Sequence, residues 1–186
     1  MVDLALHRPL DGFQTTLELG LAAGPMFARS SLRAGEAALT RAAEALGFDL
    51  PQTACRSASR GDRHALWLGP DEWLLLCAQD DGLWEALAAA LSGEPHSLVD
   101  VSSRQTALIV SGPQAVDLIS AGCPLDLGLI AFPIGMCTRT LFGKAEIVLW
   151  RTGEAQFHIE VWRSFAGYVW GGLRATHSAP AGADPS

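Results

Sequence analysis

Apolar positions along the chain switch between a period of two and a period near 3.6, and the switches mark out its elements. Phe27 to Arg33 reads as a strand, and from about Gly35 to Leu46 the residues Leu39, Ala42, Ala43 and Leu46 fall on one helix face, with Gly47 as a C-terminal stop. Pro51 to Asp62 mixes Pro, Ser, Gly and Arg without periodicity and predicts a loop. Two strands follow, HALWL (His64 to Leu68) and WLLLC (Trp73 to Cys77), separated by Gly69, Pro70, Asp71 and Glu72, residues of hairpin-turn type. They are expected to pair antiparallel. Trp73, Leu75 and Cys77 share one face of the second strand and are expected to join the core beside Leu83 and Leu87. Leu83, Leu87 and Leu91 form the stripe of a helix from Asp81 to Leu91, acidic at its start and followed by Gly93. SLVDV then returns as a strand.

The order strand, helix, strand, strand, helix, strand is the split βαβ or ferredoxin-like plan. The second half begins to repeat it. RQTALIV is a strand, and Ser111-Gly112-Pro113 opens a helix through Ala121 whose stripe is Ala115, Leu118, Ile119 and Gly122. After Cys123-Pro124-Leu125-Asp126 come MCTRTLF, AEIVLW and AQFHIEVW, an antiparallel meander with turns at Gly143-Lys144 and Gly153-Glu154. Ser164 is placed to cap a last helix to about Ala175, with Phe165, Val169 and Leu173 as its stripe. The expected fold is α+β: two ferredoxin-like (βαββαβ-type) units with antiparallel sheets. An N-terminal extension (1–24) would precede units at 25–101 and 102–176, and a small, polar, Pro-rich tail (177–186) is expected to be disordered. Whether the halves are a true repeat stays open, because weak βαββ similarity is common among α+β proteins.

At 186 residues, 49% hydrophobic and 18% charged, the chain has the composition of a globular protein. A chain of this size buries roughly 70% of its unfolded surface and needs no disulfide or metal staple. Asp3, His7 and Arg8 interrupt the start where an export signal would be apolar, and Glu85 breaks the richest apolar stretch, LWEALAAAL. A cytoplasmic protein without membrane contact is expected. Its thiols, Cys55, Cys77, Cys123 and Cys137, would stay reduced and act as small apolar residues. A net charge of −7 argues against nucleic acid as a partner.

The search for chemistry finds little. No phosphate-cradling glycine motif is present, and Gly171-Gly172 inside the last helix reads as close packing against the sheet. His7, His64, His96, His158 and His177 lack zinc-ligand spacing, and no nucleophile elbow occurs. His158 and Glu160 share a strand face, as a base and its orienting carboxylate would, but the expected setting is a solvated face without catalysis. Ser102 and Ser103 after Asp100 read as turn chemistry. Trp67, Trp73, Trp84, Trp150, Trp162 and Trp170 are expected mainly in the core, with one or two facing a partner. No catalytic, cofactor-binding or metal-binding residue is assigned.

Four blocks carry a family resemblance: LWLGPDEWLLLC (Leu66 to Cys77), VDVSSRQTALIVSGPQAVDLISAGCPLDL (Val99 to Leu127), FPIGMCTRTLFGKAEIVLWR (Phe132 to Arg151) and HIEVWRSFAGYVW (His158 to Trp170). Together they resemble the gamma subunits of heterotetrameric sarcosine oxidases. The resemblance implies a non-catalytic, structural place beside alpha, beta and delta subunits in an enzyme that oxidatively demethylates sarcosine to glycine, hydrogen peroxide and a one-carbon unit. It also implies that FAD, FMN, NAD, tetrahydrofolate and zinc reside in the partner subunits and none in this chain, and that the fold is similar to the folate-binding portion of aminomethyltransferases. The alternatives are a folate-binding aminomethyltransferase-like protein, sharing the D-x-S…S-G-P pattern at Asp100 to Pro113 but about twice as long, and a generic ferredoxin-like interaction module. A folate-linked protein of iron-sulfur maintenance would carry a lysine-glycine-cysteine-tyrosine signature, whereas Cys137 stands in GMCTRT.

Overall fold

The structure, a computed structural model, describes residues 10, 13, 15, 20–78 and 82–178. The expected helix start at Asp81, the tail beyond residue 178 and the opening residues Asp3, His7 and Arg8 lie outside these. In chain order the elements are β1 (Leu21–Ala23), β2 (Phe27–Ala34), α1 (Glu36–Leu46), β3 (Ser57–Arg60), β4 (Arg63–Gly69), β5 (Glu72–Ala78), α2 (Leu83–Ala90), β6 (His96–Asp100), β7 (Gln105–Ser111), α3 (Ala115–Ser120), β8 (Cys137–Phe142), β9 (Ala145–Gly153), β10 (Gln156–Trp162) and α4 (Ala166–Ser178).

Both sheets are antiparallel, ordered β3-β4-β5-β2-β6 and β8-β9-β10-β7-β1. Without the outer strands β3 and β8, each shows the ferredoxin-like arrangement, with the first strand central and the fourth at the edge. The sheets correspond strand for strand, and helix for helix in chain order. The exception is the origin of the fourth strand. In the second sheet this place is taken by β1, which precedes the whole first unit, through the pairs Leu21 with Val110 and Ala23 with Leu108.

Alternation sets the layers. On the first sheet Leu32, Ala65, Trp73, Leu75 and Cys77 face α1 and α2 and pack with Ala42, Leu46, Leu83 and Leu87, so the face expected for Trp73, Leu75 and Cys77 is the one observed. On the second, Leu108, Val110, Ile147, Leu149, Phe157 and Ile159 pack against Leu118, Ile119, Val169, Trp170 and Leu173. The opposite faces meet each other: Leu66, Leu74, Leu76 and Val101 pack on Cys137, Val148 and Trp150. The result is helices, sheet, sheet, helices. It explains why β5 reads W-L-L-L-C without alternation, since a strand covered on both faces needs apolar residues on both.

Four expectations are corrected. The segment 51–62 is not all loop: Ser57–Arg60 pairs with β4 through its backbone, and its polar SASR sequence fits its place as a sheet edge. Ser164 does not cap the last helix but lies inside a 3₁₀ turn, Arg163–Phe165, which leads into α4; Phe165 is consequently exposed and Ala166, Val169, Trp170 and Leu173 form the buried stripe. α4 also continues past Ala175 to Ser178. Of the two neighbouring glycines only Gly172 is a packing residue, because a Cβ there would stand 2.7 Å from the Phe142 ring, while one at Gly171 would meet nothing within 4 Å. The other side of that ring rests on Gly122, where a Cβ would come within 2.8 Å.

Candidate functional site

The titratable residues singled out from sequence converge between the two sheets, in a setting different from the one expected. His158 and Glu160 do share a face of β10, but that face is covered rather than solvated: the two residues are 3% and 0% exposed. Their polar strand face turns toward β2, and Arg29 reaches across from it. Arg29 Nε donates to Glu160 Oε2 at 2.6 Å and Nη2 to Oε1 at 3.1 Å, a bidentate pair. His158 Nε2 lies 2.7 Å from the same Oε1. Arg29 Nη1 donates to the Phe27 carbonyl at 2.6 Å, and its backbone N–H donates to Ser102 Oγ at 2.8 Å. The Ser102 backbone N–H in turn donates to Asp100 Oδ1, so the Asp-Ser turn read from sequence is present and is anchored to this network.

Aromatic rings close the space around the imidazole. Phe27 stacks on His158 with centroids 6.2 Å apart, and Trp150 approaches it at 5.6 Å. His64, on β4, completes the ring cluster against Phe27 and Trp150, with Nδ1 2.8 Å from Ser59 Oγ. Burial, helped by the nearby His158, lowers the His64 pKa below its ordinary value. Cys137 lies in the same layer, where desolvation pushes its thiol up to about 12 and its Sγ–H donates to the Arg56 and Trp67 carbonyls. It is a packed thiol without nucleophilic character at neutral pH.

A second ion pair ties the sheets nearer the surface: Arg139 of β8 binds Glu72 of β5 in bidentate fashion, which lowers the Glu72 pKa. Between it and the buried pair runs a cleft of about 20 Å³, bordered by Ser31, Leu74, Gln105, Val148 and Glu160. That is room for about one water. His96 is exposed on β6, and among the described residues no three His, Cys, Asp or Glu side chains are placed to hold a metal ion.

Chemically the arrangement is a clamp. Each Glu160 oxygen is engaged, and a general base needs the proton it takes within about 2.6–3.2 Å, where no space for a substrate exists beyond the single-water cleft. Sequence reading missed Arg29, whose only local signal was its place in β2 on the face opposite Leu32 and Ala34. It also missed Arg151, a 2% exposed guanidinium that donates to the carbonyls of Leu127 and Phe132 at 2.7 and 2.9 Å, and to that of Glu154. Arg151 thereby fixes the loop between α3 and β8, and its ring contact is Phe157 at 4.8 Å.

Comparison with known proteins places the chain. The profile described as "Sarcosine oxidase, gamma subunit family" matches residues 29–179. A sarcosine oxidase subunit gamma from Arthrobacter sp is 40% identical over 127 residues, 68% of this chain and 61% of that protein. One from Corynebacterium sp. (strain P-1) is 36% identical over 136 residues, 73% of this chain and 67% of that protein. Among solved structures, a chain of the heterotetrameric sarcosine oxidase from Corynebacterium sp. U-96, in complex with pyrrole 2-carboxylate, superposes with a TM-score of 0.85 at 26% identity, covering 97% of this chain and 98% of that one. The glycine cleavage system aminomethyltransferase T from Bartonella henselae shares the fold, with a TM-score of 0.64 at 15% identity over 83% of this chain and 45% of its own. The blocks from Leu66 to Trp170 that carried the resemblance lie within the matched region, and the chain belongs to the sarcosine oxidase gamma subunit family.

Proposed function

We propose that this chain is the gamma subunit of a heterotetrameric sarcosine oxidase, assembled with alpha, beta and delta subunits in the cytoplasm, and that it contributes structure rather than a catalytic group. The reaction served is the oxidative demethylation of sarcosine to glycine, hydrogen peroxide and a one-carbon unit. The flavins, NAD, tetrahydrofolate and zinc belong to the partner chains. The observation that carries this reading is the fate of His158 and Glu160: this pair, with the chemistry of an acid–base site, is engaged by Arg29 and sealed between the sheets. A single-water cleft beside it is far below the roughly 300–1,000 Å³ of a metabolite or cofactor site. Among the described residues no helix is long and apolar enough to cross a membrane.

Co-expression with the candidate alpha, beta and delta chains tests the reading. The gamma chain is expected to co-elute with them, while the chain purified alone is colourless and forms no peroxide from sarcosine. Flavin absorbance in the lone chain, or failure to associate when all partners are present, contradicts it.

A further inference from the structure

The series β1-β2-α1-β3-β4-β5-α2 recurs as β6-β7-α3-β8-β9-β10-α4. The first strand of each series pairs in the other's sheet: β1 lies on β7, and β6 lies on β2. The match extends to single bonds. Gly24, just after β1, donates its N–H to Ala107 O at 2.8 Å, and Val101, just after β6, donates to Arg29 O at 2.9 Å. Both connections, 24–26 and 101–104, are of hairpin length, yet each strand is separated from the one that follows it and lies in the opposite sheet. The two crossings are made differently. Pro25 has no N–H with which to extend the ladder beyond Gly24, so β1 ends there. No proline follows β6. Instead Val101 turns its carbonyl away from β2 and accepts the N–H groups of Arg104 at 3.0 Å and Gln105 at 3.3 Å. The Arg29 N–H, which a continued ladder would give to Val101 O, is taken by Ser102 Oγ at 2.8 Å, and the same hydroxyl donates to Arg29 O at 3.3 Å. Asp100 Oδ1 holds the Ser102 N–H at 2.8 Å.

We propose that Ser102 is the residue that fixes this strand exchange: its hydroxyl stands in for the Val101 carbonyl on the Arg29 backbone, so that β6 stays on β2 while the chain turns off to β7. Without that hydroxyl the N–H of Arg29, a residue 4% exposed, loses its acceptor, and an unpaired buried N–H is costly. The competing arrangement is a local β6-β7 hairpin, which needs only the 101–104 turn and would displace β1 from its place on β7. Ser102 discriminates against it because both of its bonds to Arg29 exist only while β6 lies on β2. The point of attachment is itself immobile, since the Arg29 guanidinium is held by Glu160 of the second sheet. Ser102 thereby links the exchanged strand to the clamp between the sheets, a role for the Asp-Ser turn that goes beyond local turn chemistry.

The test uses the full chain with Arg33→Cys and Ser97→Cys, two exposed positions that face each other across β2 and β6. The equilibrium of their disulfide against glutathione gives the effective concentration of the two thiols, and so measures how firmly β6 is held on β2. Adding Ser102→Ala is expected to lower that value about tenfold, the scale of one buried hydrogen bond, while Ser102→Thr, which keeps the hydroxyl, stays within about threefold. Two controls are expected to leave it unchanged: Ser103→Ala at the exposed neighbouring serine, and Leu75→Ala, which weakens the first core without touching the crossing. Circular dichroism confirms that each variant is folded. An unchanged value with Ser102→Ala, or an equal fall with Leu75→Ala, overturns the proposal. If Ser102→Ala does not fold, amide hydrogen exchange in the unsubstituted chain decides: the Arg29 N–H is expected to exchange within about tenfold of the ladder amides of β2, and exchange at the rate of an open amide overturns the proposal.

Discussion

At the scale of single residues, the Arg29–Glu160–His158 cluster has large energetic consequences. Removing a carboxylate and a guanidinium from water costs several kcal/mol per ion, and only good geometry offsets this. Here the pair is bidentate and the remaining polar atoms of Arg29 have partners, with Phe27 O on one side and His158 on the same carboxylate. Breaking the cluster leaves an uncompensated buried charge. Glu160→Ala is therefore expected to destabilise the fold by about 3–5 kcal/mol, read from the shift of a urea denaturation curve. A double-mutant cycle with Arg29→Met should recover part of that loss, because the stranded guanidinium is then absent. A loss below about 1 kcal/mol for Glu160→Ala would mean that the pair is hydrated and not the clamp described. The shared face of His158 and Glu160 was legible from their spacing of two. Their burial was not: Gln156, His158, Glu160 and Trp162 alternate with Phe157, Ile159 and Val161 as in any strand with one wet face, and the partner lies 131 residues away in sequence.

At the scale of elements, local pattern gave most strands and helices because each amphipathic segment sits on a core of its own sheet. The failures have physical reasons. β3 is polar and is held by backbone pairing with β4 and by serine hydroxyls such as Ser59 Oγ at His64 Nδ1, so no hydrophobic period announces it. β1 is three residues long, and its partner β7 lies in the other half of the chain, so neither its length nor its neighbours reveal it. It begins just after Gly20, whose φ of +57° and a Cβ position 1.7 Å from the Ser111 carbonyl oxygen exclude any other residue without rearrangement. Close packing was expected of both Gly171 and Gly172, and it holds for Gly172 alone. Gly172→Ala forces a methyl into the Phe142 ring and is expected to cost about 1–3 kcal/mol, whereas Gly171→Ala meets open space and should stabilise α4 by up to about 1 kcal/mol. Thermal unfolding of the two variants checks this. Equal effects would show that Phe142 does not hold α4 at that height.

At the scale of the whole molecule, two equivalent sheets stack back to back, and this stacking determines what the chain can do. The inter-sheet layer is occupied by Leu66, Leu76, Val148 and Trp150, by the buried ion cluster, and by Cys137 held as a thiol. Family membership was legible in the ordered blocks from Leu66 to Trp170, because those blocks supply strands to both sheets and to the layer between them. Which tryptophans are exposed was not. An exposed Trp and a buried one look alike in sequence, and only the position of Trp162 at the end of β10, across from Gln105, separates it from Trp150 on the neighbouring strand. On the proposed function, this layer is structural and the chemistry of the assembly lies in other chains. The most direct test is the turnover of sarcosine by the fully assembled complex carrying His158→Gln, which keeps a hydrogen-bond donor toward Glu160 but removes the imidazole. Turnover within about threefold of the unsubstituted complex is the predicted result, and a loss beyond about a hundredfold with assembly intact, the lower range of what a positioned acid or base contributes, would contradict it.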